Sequence, residues 1–206
     1  MQHQRVNDGT ITAIVGSSGS GKTAWLKRQI ASLERLLVWD IEGQYVENTI
    51  TVTSKAALIK AIQQPKARIS YQGTLSDFDY WAKCAFTFAQ IGADLGQMTA
   101  IVAEELADVT SPAKAPEGWG MLLRRGRKYG ANIYGITQRP SESDKTLFGN
   151  CHVIHCCYMQ RANDRKYMAQ ELDLSASDIQ NLDRTILEYI HKDMRTNKLE
   201  KGRLKF

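Results

Sequence analysis

The sequence predicts an α/β protein built on a mainly parallel sheet with helices packed against it. Segments of strand-like and helix-like apolar spacing alternate along the 206 residues, which is typical of strand–helix–strand units. The central strand-like runs are almost wholly apolar, as expected for strands that are covered on both faces. A chain of this length can bury its own core, so we expect a single domain over residues 1–206.

The elements follow from the order of these runs. Short apolar runs predict strands at 10–15, 36–41, 49–52, 67–71, 98–103, 132–137 and 152–159. Helical spacing predicts helices at 22–33, 55–63, 76–91, 118–128, 161–172 and 175–182, with a turn or short helix at 141–149. Ser76 with Asp79 forms a capping-box pattern that opens the long helix, and we expect a loop over 107–118. Strands at 186–191 and 199–204 predict a C-terminal hairpin within 185–206.

Composition excludes several classes of protein. Residues 1–9 are polar, without the apolar stretch of a signal peptide. The most apolar long window, 84–103, is interrupted by Gln90, Asp94 and Gln97, so we expect no membrane span. Four cysteines are too few for a disulfide framework, which favours a cytoplasmic protein.

The formal net charge of +5 is concentrated at the C-terminus. Residues 191–206 hold two acidic and six basic side chains, the latter being Lys192, Arg195, Lys198, Lys201, Arg203 and Lys205. A localised basic strip is a candidate contact for a polyanion. A solvated terminal hairpin explains the same pattern equally well.

The strongest local signal follows the first predicted strand. The stretch Gly16-Ser17-Ser18-Gly19-Ser20-Gly21-Lys22-Thr23 matches the Walker A pattern G-x-x-x-x-G-K-[ST] in full, and an amphipathic helix follows it. The glycines let backbone N–H groups point inward and form an anion-binding nest at a helix N-terminus. Lys22 then contacts the β- and γ-phosphates of ATP, and the Thr23 hydroxyl is a ligand for Mg²⁺. The pattern predicts a P-loop NTPase; a glycine-rich turn without a ligand is the alternative.

Two carboxylates end the buried strand 98–103 and have the position of a Walker B motif. Glu104 is the expected Mg²⁺ ligand, acting through water, and Glu105 the expected base that activates the attacking water. The second carboxylate favours ATP hydrolysis over phosphoryl transfer to another acceptor; a pair of solvated carboxylates is the alternative. Lys22 and Glu104 are 82 residues apart, which predicts the RecA-like arrangement with an additional strand between the two motifs.

Four stretches together resemble the FtsK–HerA superfamily of DNA-pumping ATPases: 16–23, 38–45, Glu104-Glu105, and 134–140, which ends in Thr-Gln-Arg-Pro. The resemblance covers about residues 10–172, the predicted motor core. The short chain is similar to the genome-packaging ATPases of membrane-containing icosahedral viruses. The resemblance implies that Gln138 ends the strand beside the acidic strand and senses the γ-phosphate. An amide there can also donate to a phosphate oxygen and accept from water; an ordinary polar strand end is the alternative.

The same resemblance implies partners. It predicts a ring, most simply a hexamer, that moves double-stranded DNA and packages a viral genome into a procapsid. Capsid or portal-vertex proteins are then further partners, and the host cytoplasm and the virion are the expected locations. Related alternatives are a filamentous-phage assembly ATPase and a conjugation-type ATPase; a small-molecule or nucleotide kinase is the alternative from another class.

Four cations within 124–128 precede the strand 132–137. Such a cluster suits an arginine finger that one subunit inserts into its neighbour's site. Arg127 is the first candidate and Arg124 the second, while Arg139 is a weaker one. Cations at a solvated helix end are the alternative.

DNA contacts are expected without base readout, because the chain has no helix-turn-helix, zinc finger or aromatic stacking pattern. Lys114 in the loop 107–118 and the basic tail are the candidate contacts.

The Cys- and His-rich run 151–157 is better explained as a buried strand than as a zinc site. Asp40 and Glu42 either order water or metal near the nucleotide or are solvated in a loop. The tryptophans are expected in the core or at subunit contacts.

Overall fold

Nine strands form one sheet in the computed structural model, which describes residues 9–205. Residues 1–8 and 206, which the predicted domain includes, lie outside the described residues. The strands are β1 Ile11–Val15, β2 Arg35–Trp39, β3 Ile50–Val52, β4 Ala67–Tyr71, β5 Thr99–Ala103, β6 Ala131–Thr137, β7 Val153–Cys157, β8 Glu188–Asp193 and β9 Lys198–Arg203. Their order across the sheet is β3-β4-β2-β5-β6-β1-β7-β8-β9.

Eight helices connect these strands within the described part of the chain. They are α1 Lys22–Gln29, α2 Lys55–Ile62, α3 Phe78–Asp94, α4 Leu106–Val109, α5 Glu117–Arg125, α6 Lys145–Asn150, α7 Ala162–Leu172 and α8 Ala176–Gln180. None of them combines the length and apolarity needed to cross a membrane. The predicted α/β class is confirmed.

The parallel part of the sheet brings three strand ends together. Strands β1 to β7 pair in parallel, and β6 lies between β1 and β5. The register joins Val15 to Thr137 and Gly135 to Ala103, so the segments that follow β1, β6 and β5 leave the same edge side by side. Ligands bind at this carboxyl edge in open α/β folds. The predicted additional strand between the two motifs is confirmed.

The two faces of the sheet are covered unequally. One face carries the larger core, in which side chains of α2, α3 and α5 to α8 pack against alternate strand residues. The opposite face carries a smaller core, whose helical side chains come from α1 and its C-cap, Leu26 and Ile30. The helix that begins at the predicted phosphate loop is therefore the main helical cover of that face among the described residues.

Two local predictions are wrong. The capping box joins Thr74 to Asp77, where it closes a 3₁₀ turn before α3. Asp79 is instead engaged across the fold, because its Oδ1 accepts the backbone N–H of Gly118 at 2.6 Å. The predicted loop over 107–118 contains most of α4 and the start of α5, since Leu106 is fully buried and anchors the first turn. In both places the sequence allows more than one local structure, and contacts with residues that are distant along the chain accompany the one that forms.

The C-terminal hairpin is confirmed, and it extends the sheet. Strand β8 pairs antiparallel with β7 on one side and with β9 on the other. Of the six cations in the basic strip that the sequence gives as a candidate polyanion contact, Lys192 is buried in the hairpin. Its ammonium donates to the Leu172 carbonyl at 2.9 Å and to the Asp173 carboxylate at 2.6 Å. Burial without such partners would leave a charge unsolvated, so Lys192 has a structural role.

Two further tail cations are held in surface ion pairs with hairpin acids, Arg195 with Asp193 at 2.8 Å and Lys198 with Glu200 at 2.6 Å. Within the described chain, the exposed tail cations without a carboxylate partner are Lys201, Arg203 and Lys205. The surface on which a polyanion can lie is therefore reduced to these three side chains.

Candidate active site

The segment 16–23 forms a tight loop between β1 and α1. Three of its residues have positive φ angles, 153° at Gly16, 69° at Gly19 and 97° at Gly21, which side chains disfavour. A Cβ atom on Gly16 would also lie 2.6 Å from the Ser20 hydroxyl oxygen. The backbone conformation of this loop therefore requires glycine at these three positions. Residues 19–24 line a cavity of about 290 Å³, which Leu187 bounds on the other side.

Lys22 lies buried inside this loop. Its ammonium donates to the carbonyl oxygens of Gly16 at 2.8 Å and Ser17 at 3.0 Å. Burial lowers the pKa of Lys22, while the charges of Glu105 and Glu104 act on it in the opposite direction. These carboxylates are therefore within electrostatic reach of the lysine, as the sequence predicts for the two halves of one site.

The two acids occupy different environments at the end of β5. Glu104 is buried, and its Oε1 accepts the Tyr45 hydroxyl at 2.5 Å. Burial raises the pKa of Glu104 to about 7, with the Tyr45 hydrogen bond opposing that rise. Glu105 is half-buried and has a left-handed φ of 46°. A glutamate held in that strained conformation at a sheet edge is typical of a functional position.

Glu105 pairs with Gln138, the residue that follows β6. The Gln138 side-chain amide donates from Nε2 to Glu105 Oε1 at 2.6 Å. The carboxylate predicted to activate water and the amide predicted to sense the γ-phosphate are thus in direct contact. Together with Glu104, Glu105 also lines a cavity of about 210 Å³. Such a pair can orient a water molecule, since the amide offers a donor and an acceptor and the carboxylate accepts its proton.

The oxygens expected to hold Mg²⁺ fit a hard divalent cation. Thr23 contributes a hydroxyl and Glu104 a carboxylate, and oxygen ligands of this type suit Mg²⁺ when phosphates and water complete the shell. Both are contacted by neighbouring residues of the loop after β2: Thr23 Oγ1 donates to Gln44 Oε1 at 3.0 Å, and Tyr45 contacts Glu104. Burial and the Glu104 carboxylate raise the pKa of Tyr45, which therefore stays a donor.

Asp40 holds this loop in place. Its buried carboxylate accepts the backbone N–H groups of Gln44 at 2.7 Å and Tyr45 at 3.0 Å, and the Ser70 hydroxyl at 2.7 Å. The interpretation of Asp40 as a solvated loop residue is wrong, because its side chain is buried. A role in ordering water or metal stays a prediction. Glu42 is exposed and accepts the Gln44 amide at 2.7 Å.

No family model matches the chain. Protein P9 of Pseudoalteromonas phage PM2 is 32% identical to it over 200 residues, which cover 94% of this chain and 89% of the phage protein. The chain belongs to the P9 family.

The fold of this P9-family chain is shared with solved ATPases. The genome packaging NTPase B204 of Sulfolobus turreted icosahedral virus 2, in complex with AMPPCP, superposes with a TM-score of 0.81 at 14% identity, over 97% of this chain and all of B204. The cytoplasmic domain of the type VII secretion ATPase EccC of Thermomonospora curvata gives a TM-score of 0.64 at 12% identity, over 97% of this chain and 26% of EccC. The resemblance to viral packaging ATPases is confirmed at the level of the fold.

The structure of the P9-family chain does not bring the arginine cluster to its own site. Arg124 lies in the last turn of α5 and Arg127 follows that helix, both exposed, before β6 begins. The Arg127 carbonyl accepts the N–H of Gly9, which precedes β1. Both arginines therefore lie at the amino edge of the sheet, opposite the phosphate loop, and their action on a neighbour's site stays a prediction. Arg139, the weaker candidate, lies at the carboxyl edge and pairs with Glu142 at 3.4 Å.

The cysteine- and histidine-rich run forms a buried strand. Cys151, Cys156 and Cys157 are free and buried, and the fully buried His155 ring stacks on Trp25 with centroids 4.0 Å apart. Burial lowers the pKa of His155 to about 3, so the ring is neutral. In the part of the chain that the structure describes, no group of three or more His, Cys, Asp or Glu side chains is arranged around a metal position. The other tryptophans, Trp39, Trp81 and Trp119, are fully buried in the core.

Sequence reasoning missed three residues at the site. Gln44 and Tyr45 lie within a stretch quoted for the resemblance, but nothing local shows that they contact Thr23 and Glu104. Arg184 is further away along the chain, and its Nη2 donates to the Ser18 carbonyl of the phosphate loop at 2.9 Å. A separation of 166 residues leaves no periodicity or spacing by which this contact could have been found.

Proposed function

We propose that this chain is an ATP-hydrolysing motor that translocates double-stranded DNA and packages a viral genome into a procapsid. The observation that carries the proposal is the 2.6 Å contact between Gln138 and Glu105 beside a complete phosphate loop. It supplies a pair of side chains that activates water. A hydrolase needs such a pair, whereas a kinase must keep water out of its site. The shared fold with B204, a genome packaging NTPase solved with the ATP analogues AMPPCP and ATP-gammaS, supports the same function.

ATP is the proposed nucleotide and is held by the phosphate loop. Backbone N–H groups at the start of α1 bind the phosphates, and Lys22 exchanges its contacts with loop carbonyls for phosphate oxygens. Mg²⁺, held by Thr23 and through water by Glu104, supplies charge neutralisation on the phosphates. Glu105 orients water and takes its proton, while Gln138, at the end of β6, senses the γ-phosphate through its side-chain amide.

We propose a ring, with a hexamer as the first expectation, because Arg124 and Arg127 are exposed at the edge opposite the site of their own chain. In a ring with head-to-tail contacts, one subunit presents a different surface to each neighbour. An arginine at the amino edge then acts in the next subunit's site. Membership of the FtsK–HerA superfamily is part of this proposal, as are capsid or portal-vertex partners and locations in the host cytoplasm and the virion.

The DNA contacts are proposed from exposed cations. Lys114 is exposed in the loop that follows α4, close in sequence to the catalytic acids, and Lys201, Arg203 and Lys205 are exposed on the hairpin. Contacts of this kind neutralise phosphates without reading bases. Affinity for duplex DNA is therefore expected to fall steeply with salt and to be independent of sequence.

One experiment tests the function. ATP turnover is measured with and without long duplex DNA in the wild type, in Glu105→Gln and in the control Glu34→Gln, which changes an exposed glutamate paired with Lys66. We expect DNA to stimulate the wild type and the control, and Glu105→Gln to bind ATP without turnover. Turnover indifferent to DNA contradicts the motor. Transfer of the phosphoryl group to a small acceptor identifies a kinase instead.

A further inference from the structure

The turn 183–187, between α8 and β8, lies over the phosphate loop. Arg184 contacts the loop through the Ser18 carbonyl at 2.9 Å. A Cβ atom built on Gly19 would lie 2.9 Å from the Arg184 Nη2 atom, so the guanidinium packs directly against that glycine. Leu187, at the other end of the turn, lies 3.5 Å from the Cβ position of Gly21. The turn therefore spans the loop from one side to the other.

This turn is built rigidly. The Asp183 carboxylate accepts the backbone N–H of Thr185 at 2.7 Å and its hydroxyl at 2.6 Å. The Asp183 N–H in turn donates to the Glu188 carboxylate at 2.9 Å. Leu187 has a left-handed φ of 52°, and its carbonyl accepts the N–H of Leu204 at the end of the hairpin. These hydrogen bonds fix the position of Arg184 relative to the hairpin.

The position of Arg184 relative to Gln138 shows which phosphate it faces. Ser17, Ser18, Gln138 and Arg184 line a common cavity of about 240 Å³. Gln138 contacts the water-activating Glu105, so this cavity is on the side of the terminal phosphate.

The charge around Arg184 also favours an anion. Arg139 and Arg161 also line this cavity, together with one acid, Asp164. Both arginines pair with the Glu142 carboxylate, and Arg161 also lies 3.7 Å from the Asp164 carboxylate, so the three arginines outnumber the single acid of the lining. Within the described residues, no carboxylate lies within ion-pair distance of Arg184. Its only charge-related partner there is a backbone carbonyl on an anion-binding loop, and a phosphate oxygen is a stronger acceptor for a guanidinium.

We propose that Arg184 is a catalytic residue that acts in cis on the γ-phosphate of the bound nucleotide, a role that rests on the proposed ATP hydrolysis. In that step, water oxygen forms a bond to the γ-phosphorus while the bond from the γ-phosphorus to the β–γ bridging oxygen breaks. The water proton passes to Glu105, and the bond's electron pair stays on the β-phosphate of ADP. The guanidinium stabilises the charge on the oxygens of the γ-phosphoryl group while it is transferred to water.

The proposal distinguishes two sources of positive charge at one site. Arg184 belongs to the chain that holds the nucleotide, whereas Arg127 belongs to a neighbour. The turn before the C-terminal hairpin then contributes to the nucleotide site of its own chain, although it lies after residues 10–172, the motor core predicted from the sequence.

The test compares Arg184→Gln with Arg184→Lys and with Arg195→Gln, a change of a hairpin arginine that is paired with Asp193. Binding of AMPPCP and of ADP is measured by calorimetry with Mg²⁺, and turnover is measured separately. We expect Arg184→Gln to lose at least about tenfold in AMPPCP affinity, less than about twofold in ADP affinity, and about 10²–10³-fold in kcat. Arg184→Lys recovers part of the AMPPCP affinity, and Arg195→Gln matches the wild type.

Other outcomes overturn the proposal. Equal losses for AMPPCP and ADP, with a lower melting temperature, would show that Arg184 only docks the hairpin, and unchanged binding and kcat would show that it has no role. If Arg184→Gln does not fold, Arg184→Lys decides by the same ratio of the two affinities. A mixture of Arg184→Gln with Lys22→Ala subunits stays inactive if Arg184 acts in cis, and recovery contradicts that. Wild-type AMPPCP affinity in Lys22→Ala refutes instead the proposed ATP site itself.

Discussion

Glu104→Gln is expected to stabilise the nucleotide-free protein at alkaline pH while it abolishes turnover. The carboxylate is buried at 6% exposure, and burial raises its pKa from an ordinary value of 4.5 to about 7. The folded state therefore holds a proton that the unfolded state releases at lower pH. Stability that Glu104 provides below pH 4.5 is lost as the pH rises through about 7, because the folded protein must then carry a buried charge.

The magnitude follows from the same values. A change of one pKa unit corresponds to about 1.4 kcal/mol, so a rise from 4.5 to about 7 makes ionised Glu104 cost about 3 kcal/mol at pH 8.5. A glutamine of the same shape still accepts the Tyr45 hydroxyl and carries no charge. For a chain of this size the gain corresponds to about 6–12 °C in melting temperature.

The assay is denaturant unfolding of wild type and Glu104→Gln between pH 4 and 8.5, with a chelator present and nucleotide absent. Only the difference between the two curves is interpreted, since other groups titrate in both proteins. We expect a difference near zero at pH 4 that grows to about 3 kcal/mol at pH 8.5. A difference independent of pH, or a less stable variant at pH 8.5, refutes the reasoning.

Three further predictions address the loop, the hairpin and the ring. Gly16→Ala places a methyl group 2.6 Å from a side-chain oxygen, so we expect calorimetry to show at least tenfold weaker ATP binding; unchanged affinity contradicts this. Lys192→Ala is expected to lower the free energy of unfolding by about 1–3 kcal/mol without changing DNA affinity, whereas Lys201→Ala weakens DNA binding without changing stability. Reversed effects in unfolding and filter-binding assays refute that assignment. Mixing inactive Arg127→Ala with inactive Lys22→Ala is expected to restore up to about a quarter of turnover, since some interfaces combine two intact halves; no recovery contradicts a shared site.

The sequence was sufficient wherever a local pattern and the topology specify the same position. The separation between Lys22 and Glu104 predicted that a strand lies between the two motif strands, and β6 lies there. Gln138 could be placed at the end of that strand because apolar runs in parallel sheets end at one edge. The contact of Gln138 with Glu105 then follows from strand order alone.

The sequence was insufficient where a contact depends on two distant segments or on a degenerate pattern. Thr74 with Asp77 and Ser76 with Asp79 both fit a capping box, and the structure forms the first, while Asp79 accepts the N–H of the distant Gly118. Lys192 belongs to a basic stretch by composition, yet the alternation of β8 turns it into the interior. No local signal distinguishes a buried, neutralised lysine from an exposed one.

The unequal cover of the sheet has a thermodynamic consequence. A two-turn helix that starts at the nucleotide lysine shields most of one side of the central strands, through Leu26 and Ile30. A ligand that binds only the native form raises its stability in proportion to the logarithm of ligand concentration. A ligand that fills the loop is therefore expected to protect the backbone amides of β2 and β5 against hydrogen exchange.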